Sequence, residues 1–124
     1  MPSILIVDDD TFLHKVLDRI LSIGNHDVVG HAYDGAEAIE IYNALNPKPD
    51  IILMDHRMPT MNGVTATKEI LHINPEAKIL FISADETVKK EAIDAGALDF
   101  LTKPIRSVDM FAAIDRSMNK EGMR

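Results

Sequence analysis

A chain of 124 residues can bury one core, and its mix of 46% hydrophobic and 27% charged residues leaves no segment polar enough to stay unfolded. The formal charge of -7, with no cluster of Lys and Arg, excludes the basic footprint that nucleic acid requires. The absence of cysteine excludes disulfides, thiolate catalysis and cysteine-ligated zinc. The apolar runs are too short to span a bilayer, and Met1-Pro2-Ser3 has none of the features of a targeting segment, so a cytoplasmic protein without membrane contact is expected.

Residues 4–7 form the first of five short apolar runs and predict a buried strand. Phe12, Leu13, Val16, Leu17, Ile20 and Leu21 then recur at three and four positions, the spacing of one helix face, and Gly24 ends that helix. A second strand is expected at 28–31, followed by a helix that Asp34 and Glu37 open as a capping box. The third strand is 51–54, and its helix closes at Pro75. Strand 79–82 leads to a helix ending at Gly96, and strand 98–101 to a last helix from about Ser107 to Asn119. Residues 1–119 are expected to form one domain, with a polar tail at 120–124 that frays. Five alternations of strand and helix predict an α/β fold, a doubly wound parallel sheet with helices on both faces and right-handed crossovers. Ligands bind such sheets at the carboxyl ends of the strands, so the chemistry should lie in the residues that follow them.

Asp8-Asp9-Asp10 follow the first strand, Asp55 the third, Ser83 the fourth, and Lys103-Pro104 the fifth. Three carboxylates brought together repel one another unless a cation compensates, and all-oxygen ligands with few carboxylates favour Mg²⁺. Lys103 supplies a second positive charge. A metal, an ammonium and a hydroxyl around a carboxylate suit phosphoryl transfer, with Asp55 the best-placed nucleophile. Each element alone has a plainer reading: the three aspartates as a helix start, Ser83 as a cap, Lys103 as a surface lysine. Their positions after separate strands favour the site. The five histidines show no pair at i and i+4 around a glutamate, which speaks against zinc, and His56 is expected to point away from Asp55. Met54, Met58 and Met61 are read as core or loop anchors.

Ile6-Val7-Asp8-Asp9, Leu53-Met54-Asp55, Met58-Pro59 with Gly63, Ile82-Ser83-Ala84 and Phe100-Leu101-Thr102-Lys103-Pro104 resemble, in order and across nearly the whole chain, the receiver domain of two-component response regulators. The resemblance implies a flavodoxin-like strand order 2-1-3-4-5. It implies a phosphoryl group carried on Asp55 and donated by a sensor histidine kinase or phosphotransfer protein. Mg²⁺ would be held by Asp9, Asp55 and the backbone carbonyl of Arg57, with Asp8 acting through water. Lys103 and Ser83 would contact the phosphoryl group, and the bond before Pro104 would be cis. Phe100 would turn inward as Ser83 moves, reshaping the surface of helix four, strand five and helix five for an unknown protein target. Phosphorylation-dependent dimerisation stays open.

Asn62 stands where the family commonly has aspartate and Phe100 where tyrosine is frequent; the first can still cap a helix, the second loses a hydroxyl. Arg57 and Asp85, two residues beyond the phosphoacceptor and the switch serine, are candidates to pair across the site and slow hydrolysis. No output domain follows the fifth helix, so a stand-alone, chemotaxis-regulator-like member acting through a protein partner is expected rather than an enzyme. The alternative is a haloacid-dehalogenase-type phosphohydrolase with Asp8 as nucleophile and Asp10 as general acid. That reading leaves Asp55 without a role.

Overall fold

The five apolar runs are rich in β-branched and aromatic side chains, which a sheet covered on both faces can bury completely. In the computed structural model, which describes residues 1–119, they form β1 (Ser3–Val7), β2 (Asp27–Ala32), β3 (Ile51–Met54), β4 (Ile79–Ser83) and β5 (Asp99–Thr102). The tail expected at 120–124 lies outside the described residues. All neighbours pair in parallel, in the order β2-β1-β3-β4-β5. From β1 the chain first builds outward to β2 and then returns to β3 on the other side. That reversal opens a crevice at the carboxyl ends of β1 and β3.

The helices are α1 (Thr11–Ile23), α2 (Gly35–Ala44), α3 (Gly63–Ile73), α4 (Lys89–Asp94) and α5 (Ser107–Asn119), with a 3₁₀ turn at Glu86–Val88 before α4. Strand residues alternate between two cores. Ile4, Ile6, Ile51, Leu53, Leu80 and Ile82 meet Leu17 and Leu21 of α1 and Met110 and Ile114 of α5. Leu5, Val7, Ile52, Met54, Ile79 and Phe81 face α2, α3 and α4. Each such side chain contributes about 1.5–3 kcal/mol by leaving water. Met58 and Met61 pack against the second core, which Met54 belongs to, in keeping with a structural role for all three.

Local signals position most of the helix ends. Asp10 caps α1 by accepting from the main-chain N–H groups of Phe12 and Leu13, and Asn62 caps α3 through Thr65 N–H. Gly24 ends α1, and Gly96, at φ +113°, follows α4. The box at α2 is modified: Glu37 N–H donates to Asp34, but the Glu37 carboxylate accepts from Tyr33 N–H, one residue before the cap. The last strand lies at Asp99–Thr102 and not at 98–101, since polar Thr102 continues the ladder opposite Ser83 and apolar patterning cannot register it. The Lys103-Pro104 peptide is cis, as is Asn46-Pro47. Among the described residues no helix is long and apolar enough to cross a membrane.

Candidate functional site

Sheet pairing sets the reactive groups in place. Asp8 N–H donates to Ala32 O at the end of β2, Asp55 N–H to Val7 O at the end of β1, and Lys103 N–H to Ser83 O at the end of β4. Each chain-end residue is thereby tied to the neighbouring strand, and Asp8, Asp55, Ser83 and Lys103 converge on one edge. Carboxylate oxygens of Asp8, Asp9 and Asp55 lie within 4.8 Å of one another. The Lys103 ammonium is 2.8 Å from Asp8 Oδ2 and 3.6 Å from Asp55 Oδ1. Asp8 Oδ1 accepts from Asp10 N–H at 2.9 Å. Asp8 and Asp55 are buried, whereas Asp9 is exposed.

Burial raises the pKa of Asp55 above its ordinary value, and the negative charge of Asp8 adds to the rise; Lys103 and a hydrogen bond from the main chain of His56 oppose it. For Lys103, burial works against the ammonium, but the hydrogen bond to Asp8 and the charges of Asp55 and Asp8 outweigh it and hold the pKa above that of a free lysine. One lysine thus contacts two carboxylates of a group of three. The surplus of negative charge and the purely oxygen donor set fit a small hard divalent cation.

Asp55, Arg57, Ser83, Ala84, Asp85 and Lys103 line an open pocket of about 410 Å³ beside this group. The response regulator receiver domain family matches residues 4–115, which span this whole arrangement. This chain belongs to that family. It is 44% identical to the chemotaxis protein CheY of Thermotoga maritima over 115 residues, 91% of this chain and 94% of that protein. It is 40% identical to CheY of Bacillus subtilis over 118 residues, 94% and 97% of the two chains. A chain of the crystal structure of the CheX-CheY-BeF3-Mg²⁺ complex from Borrelia burgdorferi superposes with a TM-score of 0.87 at 31% identity, covering 92% of this chain and 87% of that one. The receiver is closely related to CheY.

None of these matches supports a haloacid-dehalogenase-type phosphohydrolase. In this receiver Asp10, its general acid in that reading, is spent capping α1, and both oxygens of Asp8 are engaged.

Around the pocket, Arg57 and Asp85 form an ion pair, with Arg57 Nη2 2.9 Å from Asp85 Oδ2. Hydrogen bonds from the Thr87 hydroxyl and from Arg57 lower the Asp85 pKa to about 2, so the pair is charged at any ordinary pH. Ser83 is buried and its Oγ accepts from Asp85 N–H at 3.1 Å, which leaves the hydroxyl proton available. Phe100 is already inward: it is 7% exposed and its ring lies 6.0 Å from that of Phe81 at an interplanar angle of 17°. The resemblance placed this rotamer at the end of the switch. A phenylalanine has no hydroxyl to keep hydrated, so the apolar niche suits it without phosphorylation.

Two residues escaped the sequence reading. His14, buried on α1, has Nε2 2.7 Å from the main-chain oxygen of Asp8, and its Nδ1 is 2.7 Å from Nδ1 of His31 on β2. A search at i and i+4 cannot find partners on different elements, and an apolar-face histidine gives no local signal of its own. His56 Nδ1 is buried and among the described side-chain atoms without a hydrogen-bond partner.

Proposed function

We propose that this receiver takes a phosphoryl group onto Asp55 from the phosphohistidine of a sensor histidine kinase or phosphotransfer protein and, so modified, acts on a protein partner through the face of α4, β5 and α5. The observation that carries the reading is the Lys103 ammonium set between Asp8 and Asp55, with Asp9 completing an oxygen cluster open to a pocket. Asp9, Asp55 and the Arg57 carbonyl would hold Mg²⁺, with Asp8 acting through water. Bound there, the ion would neutralise charge on the phosphoryl oxygens. A carboxylate oxygen of Asp55 attacks phosphorus in line, and the bond from phosphorus to the donor imidazole breaks. Lys103 and the Ser83 hydroxyl meet the equatorial oxygens. The aspartyl phosphate carries roughly 1.5 to 2 negative charges where the carboxylate carried one, and this gain of up to about one charge, with the added acceptor oxygens, rearranges the β4 end and the 3₁₀ turn that Asp85 caps.

Support comes from the relatives: two are chemotaxis proteins, and the Borrelia complex contains Mg²⁺ together with CheY and CheX. On this reading the chain is a regulatory phosphoacceptor of the cytoplasm and not an enzyme with a separate substrate. Incubation with acetyl phosphate and Mg²⁺ followed by intact mass should show one added phosphoryl group in the wild type. None should appear in Asp55→Asn or in the presence of chelator. Labelling of Asp55→Asn at an unchanged level would end the proposal.

The Arg57–Asp85 pair screens the pocket from water, so Arg57→Ala is expected to shorten the phosphoryl lifetime several-fold. Folding stability should move by no more than about 0.5 kcal/mol, since exposed pairs contribute little and the Arg57 side chain is 80% exposed. Release of inorganic phosphate after removal of the donor measures the lifetime. An unchanged lifetime would leave the pair without a kinetic role.

A further inference from the structure

Every polar group of Asp8 is engaged, and β2 stands behind both main-chain ones. The Asp8 N–H donates to Ala32 O, and the Asp8 carbonyl oxygen lies 2.7 Å from His14 Nε2. His14 Nδ1 is in turn 2.7 Å from Nδ1 of His31, the residue before Ala32 on β2. The Asp8 carboxylate takes Asp10 N–H on Oδ1 and the Lys103 ammonium on Oδ2. Asp9 differs. Its carboxylate is exposed and makes no hydrogen bond or ion pair among the described residues, so its direction is set by its main chain alone.

A carbonyl oxygen can only accept, so His14 Nε2 carries a proton and donates it to Asp8. In two neutral rings His14 Nδ1 then presents a lone pair, to which His31 Nδ1–H donates. Asp18 Oδ2, 3.8 Å from His31 Nε2, is beyond hydrogen-bond reach, so His14 is the partner that selects the His31 tautomer. Both bonds are sheltered: His14 is 2% exposed, and the Tyr33 ring centroid lies 4.3 Å from its own.

We infer that, with Asp9 and Asp55 holding Mg²⁺ as proposed above, His14 is a positioning residue of that site: by holding the Asp8 carbonyl it fixes the Asp8–Asp9 peptide, and with it the direction in which Asp9 presents its carboxylate. The role rests on that reading of the aspartates. A peptide unit is planar, so an anchored oxygen anchors the Asp9 nitrogen and Cα with it. Helical side chains point toward the N-terminus of their helix, and His14, near the start of α1, reaches back past the Asp10 cap to a carbonyl six residues earlier. His31 contributes at one remove, by donating to the nitrogen of His14 that faces away from Asp8.

Mg²⁺ demands near-ideal octahedral geometry of its oxygens, so a group that orients one of them shows itself in affinity. A histidine that merely satisfied a buried carbonyl would show itself in stability alone.

The test uses the full chain. Calorimetry measures Mg²⁺ binding, acetyl phosphate labelling is followed against Mg²⁺ concentration, and long-range ¹H–¹⁵N spectra of ¹⁵N-labelled histidine give the tautomers without metal. His14→Leu should weaken Mg²⁺ binding about tenfold, the lower end of the range for groups that orient metal ligands, and raise the Mg²⁺ concentration for half-maximal labelling in step. The labelling rate at saturating Mg²⁺ should stay near that of the wild type, since Asp55 and Lys103 are untouched. His14→Gln, whose amide nitrogen reaches the place of Nε2, should restore binding. Leu21→Val, a buried change on the same helix, should lower Tm and leave the affinity alone. His31→Leu, at a side chain 32% exposed, keeps the question open to experiment if His14→Leu does not fold, and should weaken Mg²⁺ binding by less. Wild-type affinity in whichever of the two folds, equal weakening by Leu21→Val, or His14 without a proton on Nε2 would overturn the role of His14 while Mg²⁺ binding itself stands. A wild type that takes up no Mg²⁺ would remove the cation site and the role of His14 together.

Discussion

Lys103→Met should lower acetyl phosphate labelling of Asp55 roughly 10²- to 10³-fold, the scale of losing one preorganised donor at a developing charge. Methionine keeps the length of the stem and removes only the ammonium, which stands 2.8 Å from Asp8 and 3.6 Å from Asp55. The same change should cost about 1–2 kcal/mol of stability at neutral pH, less than the 3–5 kcal/mol of breaking a fully buried pair. The Lys103 side chain keeps 24% exposure, and water replaces part of what is lost. Acid should erase the stability difference. Asp55 has a raised pKa, so the folded state binds its proton more tightly than the unfolded chain, and stability from this group is present below 3.8 and lost as pH rises through the folded value. Removing Lys103 takes away a charge that opposes the rise, which widens that window upward. Denaturant unfolding of wild type and variant between pH 3 and 8 measures it. Normal labelling in Lys103→Met would reduce Lys103 to a counter-ion for Asp8.

How much of this was legible depends on whether the cause was local. Asp8, Asp9, Asp55, Ser83 and Lys103 each follow an apolar run directly, and a parallel sheet brings the ends of its strands to one edge, so chain order was enough to assemble them. Asn62 and Asp34 announced the helices they cap for the same reason. What escaped depends on contacts between distant segments. Thr102 is polar and belongs to β5 only through the ladder to Ser83. The 3₁₀ turn before α4 follows from Asp85 capping Thr87, where apolar spacing is uninformative. His14 and His31 meet only because α1 packs beside the β1–β2 edge. Phe100 is inward because Phe81 and the second core receive it, and no pattern along the chain carries a rotamer.

Gly63→Ala should be the most damaging single methyl group in the chain. A Cβ at Gly63 would lie 2.1 Å from the main-chain oxygen of Asp55 and 3.0 Å from both Asp55 C and His56 Cα. All three are backbone atoms, so no rotamer can relieve the clash. At Gly24 the comparable obstacle is the Phe111 ring at 2.4 Å, a side chain with room to swing, and Gly24→Ala serves as the mild control. Alanine at the first position of α3 gains at most about 1 kcal/mol in helix propensity. Overpacking against fixed backbone costs about 3 kcal/mol or more, so the net effect is a loss, seen as a fall in Tm of several degrees or more. Function should fall further than stability. Gly63 N–H donates to His56 O at 2.9 Å and closes the loop that begins at Asp55. Relief of the clash must therefore move the nucleophile, and a displacement of about 1 Å costs on the order of 10²-fold in rate. Labelling by acetyl phosphate at a temperature where the variant stays folded separates the two losses. Wild-type labelling and a Tm within a degree would mean that α3 can slide along the loop without carrying Asp55. Otherwise the glycine of the Met58-Pro59…Gly63 motif is a steric demand set by the carbonyl of the phosphoacceptor itself, since its φ needs no special freedom.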